Sequence, residues 1–174
     1  MKNLMIELKN YTIEIAEQFA AYRNNPAIFE NGYDKVPNPF TLKDGKAFIR
    51  LQLEQKPAQR KLIYWEDQFV GEIGITIKED VFRLSAEMGY FIGEPFWGKG
   101  IATKSIQLMT DYVFNTFNII RIEAGVFEFN KPSMRVLEKN GFYLESIKKK
   151  AAFKNGKIID DYLWVKLKNL TKYD

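Results

Sequence analysis

The stretch Ala86-Glu-Met-Gly-Tyr-Phe-Ile-Gly-Glu-Pro-Phe-Trp-Gly-Lys-Gly-Ile-Ala-Thr-Lys-Ser105 constrains this chain more than any other. Met88, Tyr90 and Ile92 alternate with Glu87, Gly89 and Phe91, the period of a strand. Gly93 and Pro95 stop that strand, one through free dihedrals and the other because it cannot donate to a ladder. From Ala102 the period changes: Ala102, Ile106, Met109, Val113 and Phe117 fall at helical spacing. Trp97-Gly98-Lys99-Gly100 therefore joins a strand to the first turn of a helix. The first N–H groups of a helix have no partner inside it and carry partial positive charge. Glycines let the backbone approach a ligand, so main-chain donors there can hold a pyrophosphate. Glycine spacing alone fits a merely tight connection equally well.

Gly93-x-x-x-x-Gly98-Lys99 also matches the opening of a nucleoside-triphosphate loop. Gly100 stands where that loop needs a magnesium-binding hydroxyl, and Thr103 comes three residues too late. The next apolar strand, Ile119-Ile-Arg-Ile122, ends without an aspartate to hold the metal. The triphosphate reading is set aside.

The 174 residues suit one domain, 1–174, with enough apolar and aromatic content (46% and 15%) for a real core. No apolar run reaches the roughly 18 residues that span a bilayer. Met1-Lys-Asn-Leu-Met-Ile-Glu7 reads as a strand and carries a charge, unlike a signal peptide, so a cytoplasmic protein is expected. The chain has no cysteine and no histidine. That removes disulfides, thiolate nucleophiles, the usual zinc sites and every histidine-based triad, and no metal site is expected. Proton transfer would fall to Asp, Glu, Tyr, Lys or water. The net charge of +4 suits a polyanionic ligand without choosing between a coenzyme and a nucleic acid.

Along the chain, Met5–Ile15 reads as a strand followed by a short turn, and Ile15, Phe19 and Tyr22 lead a helix that ends near Asn24-Asn25-Pro26. Residues 26–41 hold three prolines, Asn31-Gly32 and the rings of Phe29, Tyr33 and Phe40, and read as an ordered surface loop. Thr41, with Asp44 three residues on, predicts a capped helix running to Pro57 with Phe48 and Leu51 on its apolar face. Residues 60–65 and 69–77 around Glu66-Asp67 read as a hairpin. Residues 119–127 form another strand, and strand–helix–strand implies a parallel pair with a right-handed crossover. Asn130 and Pro132 start a further helix, and Gly141 before Phe142 ends it. Asn155-Gly156 turns a last hairpin within 144–167. The fold class is α+β: a mixed, mainly antiparallel central sheet with one parallel strand pair, flanked by helices.

Three motifs in order now carry a resemblance: Glu87-Met-Gly-Tyr-Phe-Ile; Phe96-Trp-Gly-Lys-Gly-Ile-Ala-Thr-Lys-Ser; and Asn130-Lys-Pro-Ser with Leu137-Glu-Lys-Asn-Gly-Phe. Together they resemble the GNAT superfamily of N-acetyltransferases over nearly the whole chain. The Trp-Gly-x-Gly-x-Ala-Thr wording and the Phe153-Lys-Asn-Gly hairpin are similar to its ribosomal-protein alanine N-acetyltransferase (Rim-type) branch. The resemblance implies acetyl-CoA as cosubstrate and direct transfer to an amine acceptor, a peptide N-terminus or a small amine. It implies that the main chain of Gly98, Lys99, Gly100, Ile101, Ala102 and Thr103 holds the pyrophosphate, with Trp97 among the coenzyme-binding residues. Phe91 and Ile92 would pair with the pantetheine arm and polarise the thioester carbonyl. Asn130 would bond the coenzyme and Ser133 would lie near the sulfur; by position alone they serve equally as helix cap and first-turn filler. Two positions depart from the pattern: Leu137 replaces a tyrosine acid, and Ala152 replaces a glutamate. Pro95 replaces the Arg or Gln that opens the phosphate turn.

The reaction needs a base, because an ammonium is not nucleophilic. Glu87, in the strand before the turn, is the first candidate and Glu72 the second, each with a plain surface or strand role as its alternative. Two other classes compete with the enzyme: a non-catalytic acyl-CoA sensor, favoured by the missing Tyr and Glu, and a single-strand nucleic-acid module. The last lacks an aromatic-glycine RNA signature. The residues do not choose between a monomer and a homodimer.

Overall fold

The computed structural model describes residues 5–169; Met1–Leu4 of the strand expected at the start lie outside them. In chain order the elements are β1 (Ile6–Lys9), α1 (Ala16–Arg23), α2 (Pro26–Glu30), α3 (Leu42–Glu54), β2 (Arg60–Trp65), β3 (Gln68–Ile77) and β4 (Ser85–Ile92). They continue with α4 (Ile101–Thr116), β5 (Arg121–Phe127), α5 (Lys131–Lys139), β6 (Tyr143–Lys154) and β7 (Lys157–Leu167). The strands make one mixed seven-stranded sheet in the order β1-β2-β3-β4-β5-β7-β6. β1–β2, β2–β3, β5–β7 and β6–β7 are antiparallel, and β4–β5 is parallel. The mixed, mainly antiparallel class read from the residues is the one observed.

The chain divides into two compact units. The first comprises Met1–Gly74 with Tyr90–Ser105. Phe19 of α1, fully buried, is its centre. The rings of Tyr11, Phe40, Phe48, Phe69 and Phe91 surround it with centroids 5.4–6.4 Å away. Such ring pairs each contribute about 0.5–1.5 kcal/mol beyond the area they bury. Thr41 and Asp44 form the expected reciprocal capping box on α3. The buried line of α3 runs through Gly45, Ile49 and Gln52, with Phe48 packed beside it. Leu51 is 60% exposed, contrary to expectation, because two residues of helix turn it away from Ile49. The surface loop expected over 26–41 begins instead with α2, which Asn25 caps and Pro26 opens. Phe40 is buried in the core, so that ring anchors the segment.

The β2–β3 hairpin turns on Glu66 and Asp67, both left-handed, as a two-residue loop between twisted strands requires. β3 is buried from Phe69 to Ile75, with Glu72 the one charge inside that buried run. Gly71 sits where a Cβ would stand 2.2 Å from the Phe91 carbonyl oxygen, so it sets how closely β4's end is approached. Gly71→Ala is therefore expected to lower unfolding free energy by about 1–3 kcal/mol, the cost of overpacking, in a denaturant titration.

The second unit comprises Ile75–Gly89 with Ile106–Asp174. Its parallel ladder registers Ser85 with Arg121, Ala86 with Ile122 and Glu87 with Glu123. α4 buries Ile106, Met109 and Val113, three of the positions its period predicted. α5 starts at Asn130 and ends at a left-handed Gly141 followed by buried Phe142. Asn155 and Gly156, both left-handed, close the β6–β7 hairpin.

Candidate active site

β4 ends in the first unit with a hydrogen bond from Gly93 N–H to the Val70 carbonyl, 2.8 Å. Glu94–Phe96 make one tight turn, closed by Phe96 N–H to Gly93 O and Trp97 N–H to Glu94 O. Trp97, Gly98, Lys99 and Gly100 follow, all exposed. Gly98 and Gly100 have φ of +74° and +79°, and a Cβ at either would meet no atom within 4 Å. The glycines are thus required by backbone conformation, and the bend is open rather than buried under side chains. Lys104 N–H bonds the Gly100 carbonyl at 3.1 Å, the first turn of α4. The N–H groups of Ile101, Ala102 and Thr103 then have no acceptor inside the helix. Three such donors at the positive end of a 16-residue helix, reached through an exposed glycine bend, suit an anion.

Side chains hold this bend in shape. The Trp97 indole donates to the Ile92 carbonyl at 2.6 Å, tying the turn back to the strand end. One lone pair of the carbonyl that the resemblance reserves for a coenzyme arm is therefore engaged. The Lys99 ammonium lies 5.2 Å from the Trp65 ring and 5.4 Å from the Phe96 ring, which meet edge to face. Glu94 accepts from Asn25 Nδ2 at 2.6 Å, so the residue that caps α2 also grips the bend. A Cβ at Gly93 would stand 3.0 Å from the Tyr22 ring, whose hydroxyl donates to the Phe69 carbonyl.

Phe91 is buried in the aromatic core, with the Arg23 guanidinium 4.6 Å from its ring centre. Arg23 Nη2 reaches Glu72 Oε2 at 2.6 Å, and Arg60 Nη1 reaches Glu72 Oε1 at 2.8 Å. Burial pushes the Glu72 carboxyl upward, but the two guanidiniums outweigh it and hold the group below the usual carboxylate range. Burial, and then the charge of Glu72, push the Tyr11 hydroxyl well above its ordinary value. Glu72 is therefore no base: a carboxylate held ionised between two arginines is a weak proton acceptor. Arg23, Tyr22, Asn25 and Trp65 went unrecognised in the sequence. The one signal was Glu72 itself, a charge inside an apolar strand that must find a buried partner.

In the second unit, Glu87 is half-buried on β4, in register with Glu123, which Lys78 and Arg121 bind. Asn130 Oδ1 accepts from Ser133 N–H at 3.2 Å, so Asn130 caps α5. Ser133 lies half-buried in the first turn. Leu137 is fully buried, and Ala152 is half-buried on β6 opposite Ile159, so neither position carries a titratable group. Among the described residues no acidic group of metal-binding size occurs, and no helix is long and apolar enough to cross a membrane.

Residues 6–143 match the family model of the acetyltransferase (GNAT) domain. The chain is 30% identical over 169 residues to the uncharacterized N-acetyltransferase p20 of Bacillus licheniformis, covering 94% of this chain and 93% of that one. Its backbone is similar to the ribosomal-protein-S5-alanine acetyltransferase of Vibrio fischeri, with a TM-score of 0.82 at 22% identity over 97% and 96% of the two chains. It is also similar to the microcin C7 self-immunity acetyltransferase MccE, solved with acetyl-CoA and AMP. There the TM-score is 0.79 at 24% identity over 95% and 93% of the chains. At these identities the two structures speak for the fold.

Proposed function

This chain belongs to the acetyltransferase (GNAT) domain family, and from that premise we propose that it transfers acetyl from acetyl-CoA directly to a primary amine, first of all a peptide N-terminal α-amine. The observation that carries this reading is the exposed bend with both glycines left-handed and nothing over them, feeding the free first turn of α4. Main-chain N–H groups from Gly98 to Thr103 would bind the pyrophosphate, and the β4 backbone at Phe91 and Ile92 would receive the pantetheine arm. Acetyl-CoA supplies an acyl carbon activated as a thioester. The amine forms the C–N bond as the C–S bond breaks, its proton passing to Glu87 directly or through water. Asn130 would bond the coenzyme, and the Ser133 hydroxyl would relay a proton from water to the departing thiolate or order the water that delivers it.

An α-amine suits a chain with no titratable group at 137 or 152. Its reference pKa is about 7.7–8.0 against about 10.4 for a lysine-like amine, so it is deprotonated at roughly 3.5 kcal/mol lower cost. The MccE complex with acetyl-CoA and the alanine acceptor named for the Vibrio fischeri enzyme support donor and acceptor class. Thiol release from acetyl-CoA, scored against α-amine peptides, Nα-blocked lysine and a polyamine, is expected to favour the peptides. Release with the polyamine alone, or with none of them, overturns the acceptor or the transfer respectively. Ser133→Ala is expected to slow turnover at least about tenfold, the low end for a general acid that water can replace, with acetyl-CoA affinity within a few fold. An unaltered rate removes the hydroxyl from the reaction.

A further inference from the structure

Gly98 and Gly100 have no packing at their own positions: a Cβ on either would meet no atom within 4 Å. Glycine also loses more freedom on ordering than any other residue. How ready the bend is for an anion is therefore set by the residues that anchor its start. Three anchors tie it to the strands: Gly93 N–H on the Val70 carbonyl, the buried Phe96 ring against Trp65, and the Trp97 indole on the Ile92 carbonyl. The helices reach it as well. The Tyr22 ring of α1 lies beside Gly93, and Asn25 Nδ2 donates to Glu94 Oε2 at 2.6 Å.

The Asn25 amide has two partners at once. Its Oδ1 accepts from Ala27 N–H at 2.9 Å and from Ile28 N–H at 3.4 Å, the cap of α2. Exchanging the two amide atoms would set donor against donor at that cap, so the network fixes Nδ2 toward Glu94. Aspartate or serine caps a helix as well as asparagine does. Of the three, asparagine alone keeps an NH2 group for a carboxylate while it caps. The neighbouring Asn24 holds the corner still. Its Nδ2 donates to the Ala20 and Phe40 carbonyls, and its Oδ1 accepts from Phe40 N–H at 2.7 Å. A braced corner thus fixes Glu94, four residues before the first left-handed glycine.

We propose that Asn25 is a positioning residue for the coenzyme bend: through Glu94 it couples the start of α2 to pyrophosphate binding at Gly98–Thr103. The inference rests on the acetyl-CoA binding proposed above and adds a residue that no glycine motif contains. Coupling of this kind is reciprocal. If the Asn25–Glu94 bond favours the bound coenzyme, the coenzyme favours that bond, and α2 opens less often while acetyl-CoA is in place.

Glu94→Gln and Glu94→Ala remove the same charge, and only the glutamine can still accept from Asn25. In a calorimetric titration, acetyl-CoA is expected to bind Glu94→Ala about threefold to tenfold more weakly than Glu94→Gln, the range of one net hydrogen bond. Asn25→Asp cuts the tie from the other side: it keeps the cap and turns an oxygen toward Glu94. Combined with it, Glu94→Gln restores the bond with donor and acceptor reversed, whereas Glu94→Ala does not. The first double variant is expected to bind the tighter by a similar factor. Hydrogen exchange supplies a readout without affinities. The amides of Ile28, Phe29, Asn31 and Gly32, all bonded within α2 or at its ends, are expected to slow when acetyl-CoA saturates the parent or Glu94→Gln, and not in Glu94→Ala. Equal affinities within both charge-matched pairs, or exchange slowed equally in Glu94→Gln and Glu94→Ala, overturn the coupling and leave acetyl-CoA binding standing. Asn25 then only caps α2. A parent chain that does not bind acetyl-CoA overturns the reading on which the coupling rests.

Discussion

Gly98→Glu is expected to weaken acetyl-CoA binding by at least about a hundredfold in a calorimetric titration while shifting the thermal unfolding midpoint by only a few degrees. Gly98 is exposed, with φ +74° and open space where a Cβ would go, so nothing in the fold is displaced by a side chain. The remaining structural cost is that of a left-handed L-residue, about 1–2 kcal/mol. For a domain of this size that is a shift of roughly 2–8 °C. The binding cost is larger, because a carboxylate would stand against the pyrophosphate. At about 4 Å and an effective dielectric of about 20, each pair of like charges costs about 4 kcal/mol, and a hundredfold loss needs only about 2.7. Gly98→Asn isolates the two effects, since Asn tolerates the left-handed region and carries no charge. It is expected to bind within about tenfold of the parent. If Gly98→Glu titrates like the parent chain, the pyrophosphate is not held at this bend.

What the sequence made legible are the features written in local chemistry. Gly98, Gly100, Gly141 and Asn155-Gly156 all adopt the left-handed backbone their positions imply. Thr41 with Asp44, and Asn130 with Pro132, begin helices as expected, because a cap is decided within four residues. The same grammar is ambiguous at Pro26, because proline at the first helical position opens a helix as readily as it ends one. Hydrophobicity alone points Leu51 inward, whereas the side that α3 buries is decided by contacts that sequence spacing does not hold. The candidate site divides likewise. Its glycine bend is local and was read directly. The Arg23–Glu72 pair spans 49 residues and so could not be drawn from a motif.

Glu72→Gln is expected to lower unfolding free energy by roughly 3 kcal/mol near neutral pH, at the lower end of the roughly 3–5 kcal/mol for breaking a buried ion pair. The lower end applies because the Arg23 and Arg60 side chains keep 19% and 26% of their exposure, so water still reaches them. An amide of the same shape offers one acceptor oxygen and turns an NH2 group toward the other guanidinium, setting donor against donor. The effect should fade with acid. Glu72 ionises below its usual range in the folded chain, so between that value and the unfolded one of about 4.3 the unfolded state binds more protons. Stability from the cluster is thus fully present above about pH 4.3 and is lost as pH falls through the folded value, and the gap between the parent and Glu72→Gln closes over that window. Urea titrations of both chains at a series of pH values measure it. A gap that stays constant, or widens in acid, would mean that Glu72 is not held ionised by the two arginines.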